Sequence, residues 1–189
     1  MSAALDLPMT LEAFLEWNSR QQAWYEFDGI RPVPMNGGSV RHGLIARNLW
    51  RLLLNGLDEG RFQMFGAGTG IQAGASVRYP DALIAGLESE ERARLVPDPV
   101  TVFEVLSPST ASADRGEKKD NYRDAPSIER YAILEQDRMA AHVFERGAGD
   151  WVGQVLIGDT DLPLPEVGLT LRLRDIYRGI ANQEGHDGS

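Results

Sequence analysis

An α+β or α/β sandwich is the fold class this sequence predicts, and three observations carry it. Two segments near the N-terminus repeat apolar residues at helical spacing, a long middle stretch is rich in short β-branched and aromatic runs, and one charged helix interrupts those runs. The 189 residues, 42% apolar and 25% charged, suit a single domain with a sizeable core. That domain is expected over residues 1–180, with a polar tail at 181–189 that reads as disordered.

Thr10 can cap a first helix that runs to about Ser19, with Leu11, Phe14 and Leu15 on one face. "WYEFDGIRPVPM" then reads as two short strands hinged at Asp28-Gly29, a favourable turn pair. Ser39 can cap a second helix whose Ile45, Leu49, Leu52 and Leu53 fall on one stripe, and Asn55-Gly56 ends it. "GRFQMFGAGTGIQAGAS" spans two short strands and a turn, "VRYPDALIAG" a further strand, and "LESEERARLVPDP" a charged connection. Val100 to Leu106 is β-branched and aromatic and lies between Pro99 and Pro108, so it reads as a buried strand. The loop "SPSTASAD" feeds a charged helix from about Asp114 to Ala125. "ERYAILEQ", "AAHVFER" and "WVGQVLIG" are three more strands, the last two joined by a Gly-rich turn at 147–150, and "GLTLRLRDIYRGI" supplies a last strand and a short helix.

Composition narrows the function classes. Without cysteine there is neither a disulfide framework nor a thiolate metal site, as fits a cytoplasmic protein. "MSAALDLPMTLEAF" has no basic region and no long apolar core, so it does not read as a signal peptide, and no apolar run approaches membrane-spanning length. A net charge of −9 argues against a broad basic nucleic-acid surface. The charge is uneven, however: residues 41–78 hold Arg41, Arg47, Arg51, Arg61 and Arg78 against Asp58 and Glu59, which leaves room for a local basic face.

The chemistry lies in carboxylates placed where strands should be apolar. Glu104 sits inside the Val100–Leu106 run, where an unpaired carboxylate costs roughly several kcal/mol unless it is protonated, ion-paired or metal-bound. Asp81 is placed alike in "YPDALIA", and the 23 positions between the two acids allow neighbouring strands to bring them together. Two adjacent acids share a proton or bind a cation, and Mg²⁺ takes one or two carboxylates with waters and substrate phosphate. The competing reading, in which each acid closes a strand end and pairs with an arginine, stands equally at this point. In "ADRGEKKDNYRD", Asp114, Lys118 and Tyr122 recur at i, i+4 and i+8 on one helical face. That pattern is either a solvated helix with an Asp-Lys pair or, beside an acid pair, a lysine that stabilises phosphate charge.

"YPDALIA", "FEVLSPST" and "DRGEKKDNY" together resemble a bacterial restriction endonuclease family of the PD-(D/E)XK phosphodiesterase superfamily. "WYEFDGIRPVPM" and His42 are similar to the family's opening hairpin and helix-entry histidine, and the resemblance runs from about Thr10 to Tyr177. It implies a restriction-endonuclease-like sandwich, a mixed central β-sheet flanked by helices. It also implies Mg²⁺- or Mn²⁺-dependent hydrolysis of nucleic-acid phosphodiesters, DNA foremost. Asp81 and Glu104 would be the metal ligands, Lys118 the catalytic lysine and Glu26 an additional acid. His42, Arg115 and Tyr122 would be substrate contacts, though a helix-start histidine that packs or caps accounts for His42 as well. A homodimer would suit cleavage of both strands.

Two departures mark this sequence. Leu106 occupies the superfamily's usual lysine position two residues after Glu104, so the amine must come from the helix. "APSIERYAILEQD" stands where relatives carry a Gly-Val turn and a Trp. Other signals fall away: Ile71 breaks a G-x-G-x-x-G in "GAGTGIQAG", Ser107, Ser109 and Thr110 lack a nucleophile-elbow context, and His142 and His186 make no zinc pattern. The main alternative is a non-catalytic nuclease-fold binding or assembly module that keeps the acidic cluster. A glycosidase-type carboxylate pair is another.

Overall fold

The computed structural model describes residues 8–35, 37–88, 92–106 and 116–180. The predicted tail at 181–189, the loop serines and threonine at 107–110, Asp114 and Arg115 lie outside the described residues.

The long apolar runs build a central sheet. Its strands are β3 (Phe62–Gly66), β6 (Ala82–Gly86), β8 (Pro99–Val105), β9 (Arg130–Leu134), β10 (Ala140–Arg146) and β11 (Trp151–Ile157). They lie in the order β11-β10-β9-β8-β6-β3, with β8 and β9 parallel and every other pair antiparallel, so the sheet is mixed. The inner strands β6, β8 and β9 are buried on both faces, which explains why they read as continuous apolar runs instead of alternating ones, whereas the edge strand β11 is largely exposed. Ala82 and Ile84 of β6 and Phe103 and Val105 of β8 pack with Ile45, Leu49 and Leu53 of helix α2 (Val40–Gly56) and with Leu173 and Ile176 of the short helix α4 (Leu173–Ile176). Each fully buried leucine or isoleucine of that α2 stripe contributes roughly 1.5–3 kcal/mol. On the opposite face Leu83, Ala85, Val102, Tyr131 and Ile133 meet Tyr122 of α3 (Glu117–Arg123) and Ile71 and Ala73 of β4 (Gly70–Ala73).

Strand β4 belongs to a second sheet with β1 (Tyr25–Phe27), β2 (Pro32–Pro34), β5 (Ser76–Arg78) and β7 (Leu95–Val96), ordered β2-β1-β5-β4-β7. Asp28 closes the β1–β2 turn by accepting from the backbone N–H groups of Ile30 and Arg31, each at 2.8 Å. The first helix, α1 (Leu11–Asn18), is capped by Thr10 as expected and stacks Phe14 on Phe27 at 4.9 Å between ring centroids. No helix among the described residues is long and apolar enough to cross a membrane.

Three elements differ from the sequence expectation. "VRYPDALIAG" is two strands in two sheets, β5 and β6, because Pro80 between them has no N–H to donate to a ladder and the chain crosses from one sheet to the other there. The charged connection contains β7, only two residues long and paired with β4. "DLPL" forms β12 (Asp161–Leu164), paired with β13 (Leu169–Arg172) in a two-stranded sheet where an edge position tolerates Pro163.

A buried acid at the end of β9 makes one pH prediction. Glu135 accepts from Arg138 Nε at 2.6 Å and lies 2.5 Å from His142 Nε2. The Arg138 hydrogen bond, opposed by burial and reinforced by His142, lowers its carboxyl from 4.5 to about 2. A carboxyl depressed in the folded state stabilises fully above its unfolded value, and that contribution is lost as pH falls through the folded value. Denaturant midpoints should therefore fall between about pH 4.5 and pH 2, and Glu135→Gln should flatten that acid limb. An unchanged limb in the variant would assign the acid sensitivity elsewhere.

Candidate active site

A cleft of about 590 Å³ lies between the β1–β2 hairpin, the start of α2, the adjoining ends of β6 and β8, and α3. Its position follows from strand register. Ala82 of β6 pairs with Phe103 of β8, so Asp81, one step before β6, falls opposite Glu104 on the same face. The 23-residue separation thus becomes a cross-strand pair.

Asp81 is held from three sides. Its Oδ2 accepts from the Val105 N–H at 2.7 Å, its Oδ1 lies 2.8 Å from His42 Nε2, and its carbonyl accepts from Trp50 Nε1 at 2.8 Å. Ser39 fixes His42 by capping α2, its Oγ accepting from the His42 backbone N–H at 3.1 Å. Trp50 comes this close because residue 66 has no side chain: a Cβ there would stand 2.8 Å from the indole ring. Gly66 is therefore required for packing, and through Trp50 it helps to place Asp81.

Glu104 shares its face of β8 with Val102 and Leu106, and its side chain is 6% exposed. Its Oε1 accepts from Lys118 Nζ at 2.9 Å and from the Tyr122 hydroxyl at 2.9 Å. The i, i+4 spacing on α3 delivers both donors from one helical face. Burial first, and then the neighbouring Glu104, pushes the Tyr122 phenol well above its usual 10, so it remains a donor. Tyr122 is fully buried, and its hydroxyl supports Glu104.

Lys118 Nζ also lies 3.4 Å from Oε1 of Glu26, which β1 contributes. Glu26 is buried too, and its Oε2 accepts from Arg78 Nη1 at 3.0 Å. Arg78 reaches onward to Glu117 Oε1 at 2.5 Å and Asn121 Oδ1 at 2.6 Å, both on α3. Burial alone would lower the Arg78 guanidinium, but Glu26 and Glu117 outweigh it and raise its pKa, so its charge is secure. Arg78 therefore bolts α3 and Lys118 to the second sheet.

Of the residues singled out in the sequence, Glu26, His42, Asp81, Glu104, Lys118 and Tyr122 form one connected cluster. Arg115 lies outside the described residues. Lys119 points elsewhere, its amine 5.6 Å from the Phe144 ring centroid. Of the arginines at 41–78, Arg47, Arg51 and Arg61 are exposed, Arg41 is half-buried and donates to the Gln136 carbonyl, and Arg78 is buried. Sequence reasoning missed Trp50, Arg78, Glu117 and Asn121. Arg78, three residues before Asp81, and the i, i+4 pair Glu117 and Asn121 were visible, but only the fold makes them partners.

The donor set bears on the metal that the resemblance implies. Among the described residues, no group of three or more His, Asp or Glu side chains forms a ready-made metal cage. Asp81 and Glu104 instead offer the hard oxygen pair that Mg²⁺ or Mn²⁺ takes alongside waters and phosphate. The residues fit such an ion.

Comparison with known proteins adds a second line. A crystal structure from Anabaena variabilis, described as "a putative nuclease belonging to DUF820", superposes with a TM-score of 0.75 at 17% identity, covering 90% of this chain and 98% of that one. The likeness shows a shared restriction-endonuclease-like fold. Two Synechocystis proteins are also similar: slr1290 is 29% identical over 174 residues, 90% of this chain and 92% of the relative, and sll1609 is 25% identical over 157 residues, 80% and 89% respectively. The profile of the Uma2 family, described as "Putative restriction endonuclease", matches residues 11–174. That match takes in every described side chain of the cleft cluster, and the chain belongs to the Uma2 family.

Proposed function

We propose that this protein is a metal-dependent nuclease that hydrolyses DNA phosphodiester bonds. The observation that supports the reading most is the meeting of Asp81, Glu104 and Lys118 in one cleft, from three separate elements. The family description and the Anabaena fold likeness also support it.

Asp81 and Glu104 would hold Mg²⁺ or Mn²⁺, which when bound lowers the pKa of a coordinated water and offsets phosphate charge. The protein's own groups do the rest. His42 and the Val105 N–H fix the two Asp81 oxygens, and Tyr122 fixes Glu104. Lys118 keeps a cation, only 10% exposed, beside the acids, where it can stabilise charge developing on a phosphate oxygen. Glu26 holds that amine from its other side.

Nicking of supercoiled plasmid tests the reading. Cleavage is expected with Mg²⁺ or Mn²⁺, to stop on EDTA addition, and to be absent in Asp81→Asn. A non-catalytic assembly module or a glycosidase-type pair would nick under no condition. Melting curves supply a second check. Saturating metal should stabilise by RT ln(1 + [L]/Kd), about 2.7 kcal/mol at a hundredfold excess over Kd, and Glu104→Gln should erase the gain. Curves indifferent to both changes would refute metal binding at the pair.

A further inference from the structure

A second cavity, of about 410 Å³, adjoins the cleft and shares Tyr79 with it. The two differ in chemistry. The catalytic cleft is lined by Glu26, Asp28, Asp81, Glu104 and Glu117, whereas no acid lines the second cavity. Its walls carry the amide side chains of Asn18, Gln21 and Gln22, the Arg94 guanidinium and two aromatic rings, Trp24 and Tyr79. Asn18 Nδ2 donates to the Tyr79 hydroxyl at 3.1 Å and Gln21 Nε2 to the Trp17 carbonyl at 2.9 Å, so these amides are oriented. Trp24 stands edge-on to Tyr79, 6.0 Å between centroids at 78°, and is 58% exposed.

We infer that this cavity is a nucleobase subsite, taking an unstacked base of the strand whose phosphate occupies the catalytic cleft; the inference rests on the nuclease reading. Three properties point to a base. An indole left largely in water offers a stacking platform to any base. Oriented amides can donate to and accept from base edges. A cavity of this size lies within the range of small-ligand sites. Position gives the fourth: Tyr79 lines both cavities, and its backbone N–H donates to Glu26 at 3.3 Å, which ties the residue they share to the catalytic cluster. Uncharged contacts also suit an acidic protein, because stacking attracts substrate without adding phosphate to a carboxylate-lined wall. Arg94, whose contact with Glu16 is long at 3.8 Å, can turn to a flanking phosphate.

Fluorescence anisotropy with the full chain in EDTA tests the subsite without cleavage. The probes are a labelled single-stranded oligonucleotide and an abasic strand of equal length and charge. Base–aromatic stacking is worth about 1–3 kcal/mol, so the base-bearing strand should bind roughly 5- to 150-fold more tightly. Trp24→Ala should abolish the preference and Trp24→Phe should keep most of it. Equal affinity of the wild-type protein for the two strands would overturn the subsite, and that comparison needs no variant to fold. A preference that survives Trp24→Ala would overturn it as well. Plasmid nicking that depends on Asp81, without any base preference, would sink the subsite alone. Loss of both nicking and strand binding would sink the nuclease reading with it.

Discussion

Lys118→Ala is expected to lose cleavage by roughly 10²- to 10³-fold, the usual effect of removing one oriented charge from a phosphate-stabilising site. Lys119→Ala should leave the rate near wild type. The two lysines are adjacent in sequence, yet about 100° of helix rotation separates them. Lys118 Nζ lies 2.9 Å from Glu104, while the Lys119 amine sits over Phe144 on another face. The Lys118 change should also lower stability, because it removes the cation from a carboxylate that is 6% exposed and leaves only the Tyr122 hydroxyl of the two donors described above. Lys118→Ala combined with Glu104→Gln should recover stability without recovering activity, which separates the structural cost from the catalytic one. Single-turnover rates read beside melting temperatures decide it. An active Lys118→Ala beside an inactive Lys119→Ala would overturn the assignment.

Arg78→Met is expected to be among the most destabilising single changes at this site. The guanidinium is 4% exposed and joins Glu26 on β1 to Glu117 and Asn121 on α3. Breaking a buried ion pair from one side costs about 3–5 kcal/mol, because the partner charge stays buried. Lys118, 3.4 Å from Glu26, should hold the loss at the lower end, equivalent to a fall in melting temperature on the order of 10 °C. Arg78→Lys should recover only part of it, since a single ammonium cannot fork across three acceptors. Arg78→Met with Glu26→Gln should be more stable than Arg78→Met alone. A double variant no better than the single one would mean that Arg78 acts through packing and not through Glu26.

Much of this site is legible in the sequence. Glu104 stood out because a carboxylate inside a β-branched run must be neutralised, and Asp81 because it repeats that anomaly. Lys118 and Tyr122 were legible from helical spacing, the one periodicity that places side chains on a common face without knowledge of the fold. What neutralises Glu104 could not be read: its sequence context allows an arginine, a metal or a shared proton, and Lys118 and Tyr122 supply the hydrogen bonds. The surroundings of Tyr122 could not be read for a related reason. Spacing shows which face a residue occupies, not whether that face meets solvent or a buried carboxylate.

The sequence by itself determined the class of the fold, most of its strands and helices, and which polar residues stand where only apolar ones should. Those properties are local, set by periodicity over a few residues and by the chemistry of each side chain. Tertiary structure alone decided that "VRYPDALIAG" divides between two sheets, that the β6–β8 register sets Asp81 opposite Glu104, and that Arg78 ties Glu26 to α3. Each of these is a pairing between segments far apart in the chain, where a shift of one residue turns a strand's side chains to the other face, so nothing short of the packed whole could select it.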